Sequence, residues 1–123
     1  MRELKFRAWS NEHNRYCDLV TLIENGRWVG WIKGNGVYLT TTDIILEQYT
    51  GLEDKNGKEI YEGDIVGFKW TKRLYVVTYR IYDASFILEN DEWEETIHLS
   101  LDKDDFEVVG NIHENEYLLE EEG

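Results

Sequence analysis

The side chains able to do chemistry fall into three groups. The first is a crowd of carboxylates near the end of the chain: Glu92, Glu94, Glu95, Asp102, Asp104, Asp105 and Glu107. Two carboxylates at a suitable separation can run general acid–base or glycosidase chemistry, but where so many are close in sequence no one pair stands out. What such density does create is a negative field, which draws in basic partners and repels phosphate backbones. The second group is basic and aromatic. Between Ile65 and Tyr82 there is no acid, and Lys69, Lys72, Arg73 and Arg80 alternate with Phe68, Trp70, Tyr75, Tyr79 and Tyr82. Cations interleaved with rings suit single-stranded nucleic acid, phosphates meeting the charges and bases stacking on the rings. The third group is His13, Cys17, His98 and His113. A structural zinc site needs four nitrogen or sulfur ligands, and only His13 and Cys17 are near each other in sequence, so no metal is expected.

Other chemistries fail on spacing. Cys17 with a distant histidine could make a thiol nucleophile, but no local feature activates it, and a buried, inert cysteine is the expectation. Asp54-Lys55-Asn56-Gly57 puts its glycine fourth and runs into Lys58, where a calcium loop needs oxygen ligands at alternating positions and glycine sixth. Gly34-Asn35-Gly36 lacks the Lys-Ser/Thr of a phosphate loop. No catalytic residue, metal or cofactor is assigned, and the chain is read as a non-enzyme.

Charge divides the chain sharply. The 123 residues carry a net charge of −13, yet Met1–Leu88 holds 12 acids and 12 bases and is neutral. From Glu89 onward there are 14 acids against one base, Lys103. A solubilising surface is the simplest account of that segment; a docking face for a basic protein is the functional one. No run approaches the roughly 20 apolar residues of a membrane helix, and Met1–Trp9 has no signal-peptide core. A single cysteine among 123 residues fits a reducing cytoplasm.

The elements that must carry these groups are strands. Val66, Phe68 and Trp70 share one face of Asp64–Trp70; Tyr75, Val77, Tyr79 and Ile81 share one face of Leu74–Ile81. Ile97, Leu99 and Leu101 alternate with His98 and Ser100, and Phe106, Val108, Gly110 and Ile112 alternate with Glu107, Val109 and Asn111. Near the start, Leu4, Phe6 and Ala8 oppose Lys5, Arg7 and Trp9, and a polar turn leads into a strand over Tyr16–Ile23. Arg27–Lys33, Val37–Thr40, Ile44–Leu52 and Lys58–Tyr61 follow, separated by Asn-Gly and Gly-rich turns. With no proline anywhere, turns depend on Gly, Asn and Asp. Only Glu116–Glu122 reads as a helix, with Asn115 as its cap. The expected fold class is mostly β, built of antiparallel strands with a short C-terminal helix.

One stretch is distinctive: Gln48-Tyr49-Thr50-Gly51-Leu52, then Asp54-Lys55-Asn56-Gly57-Lys58-Glu59-Ile60-Tyr61-Glu62-Gly63-Asp64-Ile65-Val66. With Lys5-Phe6-Arg7-Ala8-Trp9 before it and Phe106–Ile112 plus Glu114-Asn115 after it, the chain resembles the YopX family of small phage and prophage proteins. The resemblance implies an N-terminal β subdomain over residues 1–62, and a small SH3-like barrel with the short helix over 63–123. It also implies expression in the cytoplasm of a bacterial host, and it brings no catalytic residues. Ser10 and Glu116 depart from the Asp and Pro the family usually has there. The motif's glycines and Asp64 suit turns and corner hydrogen bonds.

The favoured reading is a non-catalytic phage accessory protein. It binds a basic, DNA-binding protein of host or phage through the acidic face Glu92, Glu94, Glu95, Asp102, Asp104, Asp105 and Glu107, in the limit as a DNA mimic that inhibits a host nuclease or defence system. The alternative is an SH3-like nucleic-acid-binding module using Lys69, Trp70, Lys72, Arg73 and Arg80. A third reading is an enzyme whose site the sequence does not reveal. No membrane association is expected, and the reading leaves room for a homo-oligomer.

Overall fold

The computed structural model describes residues 5–23, 26–32, 37–39, 43–68, 73–80, 84–90, 94–96 and 103–120. The chain forms two units, one over Leu4–Gln48 and a second from Tyr49 onward. In the first, β1 (Phe6–Ser10) pairs antiparallel with β2 (Arg15–Tyr16) on one side and with the start of β6 (Ile44–Glu53) on the other. A three-stranded antiparallel meander, β3 (Leu19–Ile23), β4 (Arg27–Ile32) and β5 (Val37–Leu39), completes it. Ala8, Ile32 and Ile44 make its buried core, with Cys17, Val20, Trp28 and Leu46 packed around them.

Two expectations for this unit change. The strand expected over Tyr16–Ile23 is two strands, because the chain changes partners at its middle: Cys17 N–H donates to Ala8 O and Asp18 N–H to Trp31 O. Trp9, expected on the polar face beside Lys5 and Arg7, is 2% exposed. Its ring meets Tyr16 edge-on at 5.0 Å, and its indole N–H donates to Asn11 Oδ1. An amphipathic ring can leave a nominally polar face when another ring covers it and its N–H finds an acceptor.

The second unit takes the rest of β6, then β7 (Glu59–Tyr61), β8 (Asp64–Phe68), β9 (Leu74–Arg80), β10 (Ser85–Glu89), β11 (Glu94–Thr96), a 3₁₀ turn (Lys103–Asp105), β12 (Phe106–Asn111) and α1 (Tyr117–Glu120). Its sheet runs β11-β10-β9-β8-β12, so the last strand returns beside the first and the antiparallel sheet curls into a half-barrel. Ile60, Val66, Tyr75, Val77, Phe86, Leu88, Phe106 and Val108 fill its core. The protein is therefore mostly β, as its periodicity indicated.

The units divide inside β6, whereas residue 62 was the expected boundary; Ile60 of β7 belongs to the half-barrel's core. Strand β10 was not anticipated. Phe86, Ile87 and Leu88 are 6, 4 and 4% exposed in succession, so both faces are covered and no alternation marks it. The expected strand over Ile97–Leu101 lies outside the described residues. In β12 the register with β8 shifts between Val108 and Gly110, leaving Val109 bulged and exposed. Asn115 does not cap α1 with its side chain. Its Oδ1 accepts from Asn111 N–H instead, and a Cβ on Gly110 would come within 2.6 Å of that side chain.

Candidate functional site

Strand β12, with its single acid Glu107, is held in place by the turn after β6. Asp54 is fully buried: its Oδ1 accepts from the backbone N–H of Asn56 and of Lys58, each at 2.9 Å, and its Oδ2 accepts from Val108 N–H at 2.9 Å. Burial would raise its carboxyl pKa, but these three amides, in the order Val108, Lys58, Asn56, together with the Lys58 charge, pull it below the usual carboxylate value. Gly57 takes φ +78°, which closes the turn, and its N–H donates to Asp54 O. Lys55 N–H then donates to Phe106 O at 3.1 Å. Asp54-Lys55-Asn56-Gly57 is thus a clamp on β12, which reads neither as a calcium loop nor as a ligand loop.

The same clamp reaches the predicted face at Glu107. Asn56 Nδ2 donates to Glu107 Oε2 at 3.0 Å, and Lys55 Nζ lies 3.7 Å from Oε1. Both partners of that ion pair are nearly half exposed, so its contribution is small. The neighbouring corner is built alike. Asp64, 1% exposed, accepts from Tyr61 N–H at 2.8 Å, and Gly63, at φ +89°, accepts from Ile112 N–H. Thr50 bridges Ile60 O and Leu52 N–H with its hydroxyl. The long central motif therefore does structural work.

The five predicted carboxylates among the described residues divide between two edges of the sheet. Asp104 (exposed) and Asp105 (half-buried) lie in the 3₁₀ turn that enters β12, next to Glu107 on the strand. Glu94 and Glu95 lie on β11, at the other end of the strand order. Glu92 and Asp102 fall outside the described residues. Sequence reasoning missed Glu89, which stands directly across from Glu94 in the β10–β11 register. Only the hairpin pairing reveals that juxtaposition.

Among the described residues, three rings of the basic and aromatic segment go into packing. Tyr75 is buried in the core, Phe68 and Tyr79 pack against it, and all three meet other rings edge-on: Phe68 with Tyr75 and Phe106, Tyr79 with Phe86. Arg73 and Arg80, both half-buried, bracket β9, and both have interaction partners within the protein. Lys69, Trp70 and Lys72 lie outside the described residues.

Of the other reactive groups, His98 lies outside the described residues. Burial, with Asp18 adding to it and Arg15 opposing, pushes the Cys17 thiol up, away from a nucleophilic thiolate. His13 Nδ1 lies 3.2 Å from Ser10 Oγ within the turn after β1. Among the described residues no three His, Cys, Asp or Glu side chains are grouped to hold a metal, and no helix is long and apolar enough to cross a membrane.

Comparison with known proteins gives one lineage. The family model for the YopX protein matches residues 5–120. The crystal structure of protein EF1440 from Enterococcus faecalis superposes with a TM-score of 0.68 at 28% identity, over 97% of this chain and 99% of that one. The crystal structure of YopX from Bacillus subtilis superposes with a TM-score of 0.57 at 20% identity, over the same shares, a likeness of fold. No curated protein matches the chain.

Proposed function

The chain belongs to the YopX family, and within that family we propose that it is a non-catalytic phage accessory protein whose acidic C-terminal strands dock a basic, DNA-binding protein. The observation that carries this reading is the Glu89–Glu94 register. Like charges directly opposite in an antiparallel pair are destabilising, so a fold that places them there gives up stability for negative charge. Fourteen acids against one base from Glu89 onward point the same way. Such a surface meets the cations of a DNA-binding groove much as a phosphate backbone does, and screening weakens the contact as salt rises. The acting compartment is the host cytoplasm.

The test is capture from infected-host lysate on immobilised full chain at low and high salt. The basic partner should be held at low salt, released at high salt, and lost on joint reversal of Glu94, Glu95, Asp104 and Asp105 to Lys. Circular dichroism should show the strand signal of the reversed variant unchanged. Capture that survives the reversals, with Lys72 and Arg73 needed for retention on single-stranded DNA, would replace this reading with nucleic-acid binding.

A further inference from the structure

The first unit carries a surface that the acidic reading does not use. Strand β3 is an edge: among the described residues its one ladder partner is β4, to which it pairs without interruption from Leu19↔Trp31 to Ile23↔Arg27. Leu19 is 61% exposed, Leu22 54% and Ile23 38%, and Thr21 is exposed between them. Edge strands in soluble proteins are ordinarily guarded by lysine, proline, a bulge or very short length, because open N–H and C=O groups recruit other strands. Leu19-Val20-Thr21-Leu22-Ile23 has none of the first three and is five residues long.

We propose that β3 is a self-association edge, at which two copies of the chain pair their β3 strands antiparallel about Thr21. Two observations select a second copy as the occupant. The first is self-complementarity. Read outward from Thr21, Leu19 answers Ile23 and Val20 answers Leu22, so a two-fold axis at Thr21 sets apolar side chains against apolar side chains on each face. An isologous contact requires the same patch to fit itself in this way. The second is charge. Two chains of net charge −13 repel wherever their acidic strands approach, but Leu4–Gln48 contains five acids and five bases and is neutral. At the Leu19 end of β3 the Asp18 charge is met by Arg15, which donates to both of its carboxylate oxygens at 3.0 and 3.1 Å. A basic partner is drawn to the acidic strands and gains nothing at this apolar, neutral edge, whereas a second copy buries it. This association is independent of the acidic face.

Sedimentation velocity of the full chain from micromolar to sub-millimolar concentration tests it. The wild type should shift from monomer to dimer mass as concentration rises. Thr21→Lys, which places a charge against its own copy on the axis, should stay monomeric with an unchanged circular dichroism spectrum. A Cys17→Ala/Thr21→Cys chain should form a covalent dimer under mild oxidation, since directly opposed residues in an antiparallel pair hold their Cβ atoms about 4.5–5.5 Å apart. A Cys17→Ala/Glu116→Cys control should not. Should Thr21→Lys fail to fold, the crosslinking pair decides alone. A wild type that stays monomeric throughout, or equal crosslinking at positions 21 and 116, overturns the proposal.

Discussion

Two buried carboxylates flank the second half of β6 and are kept in opposite ways. Asp54, beyond the strand's end, is satisfied by backbone amides, two from its own turn and one from Val108. Glu47, within the strand and 3% exposed, is satisfied by side chains: Arg7 Nε donates at 2.7 Å and Tyr16 Oη at 2.9 Å, with the Arg7 guanidinium 4.5 Å above the Tyr16 ring. The first arrangement fixes backbone, so it can carry a neighbouring strand and Glu107 on it. The second ties together side chains on three strands that are already paired through their backbones. Equal burial thus conceals unequal structural reach.

The contrast breaks first at Asp54. Asp54→Ala leaves three amide hydrogens without their acceptor, and at about 1–3 kcal/mol each the loss should be on the order of 5 kcal/mol. Denaturant unfolding measures it; a loss below about 1 kcal/mol would mean that water replaces the carboxylate and that the clamp carries nothing. Glu47→Ala should cost less, about 1–3 kcal/mol. Breaking a fully buried pair costs more, but the Arg7 side chain keeps 19% of its exposure and can regain water. A Glu47→Ala loss equal to that of Asp54→Ala would erase the distinction.

The smallest effect is in acid. The folded-state pKa of Asp54 lies below its unfolded value. Its stabilisation is therefore complete above the unfolded value, about 3.9, and is lost as pH falls through the folded one. Between neutral pH and pH about 3, Asp54→Asn should lose less stability than the wild type, because it has no proton to take up there. Parallel losses in the two proteins would remove Asp54 from the acid limb.

Much of this was legible residue by residue. The faces Tyr75-Val77-Tyr79 and Phe106-Val108 follow from period-two alternation, and the core contains them except for Tyr79, which packs against it. The Asp54–Gly57 turn follows from its Asp, Asn and Gly, whose conformational preferences are local. Strand β10 was hidden because Phe86, Ile87 and Leu88 are buried on both faces, which removes the alternation that identifies a half-exposed strand. The split at Cys17-Asp18 was hidden because apolar and polar residues follow one another there much as in one continuous strand.

The sequence by itself determined the strand-rich class, the turn positions, and the partition into a neutral first part and an acidic last quarter, since each depends on nearest neighbours or on a sum of charges. Tertiary structure alone decided that Glu89 pairs in register with Glu94, that Val108 N–H closes on Asp54, that Arg7 and Tyr16 converge on Glu47, and that β3 has β4 as its one ladder partner among the described residues. Those are facts of register. A strand pairs through backbone groups that every residue shares, so which residues come to lie opposite is set by the packing of distant segments.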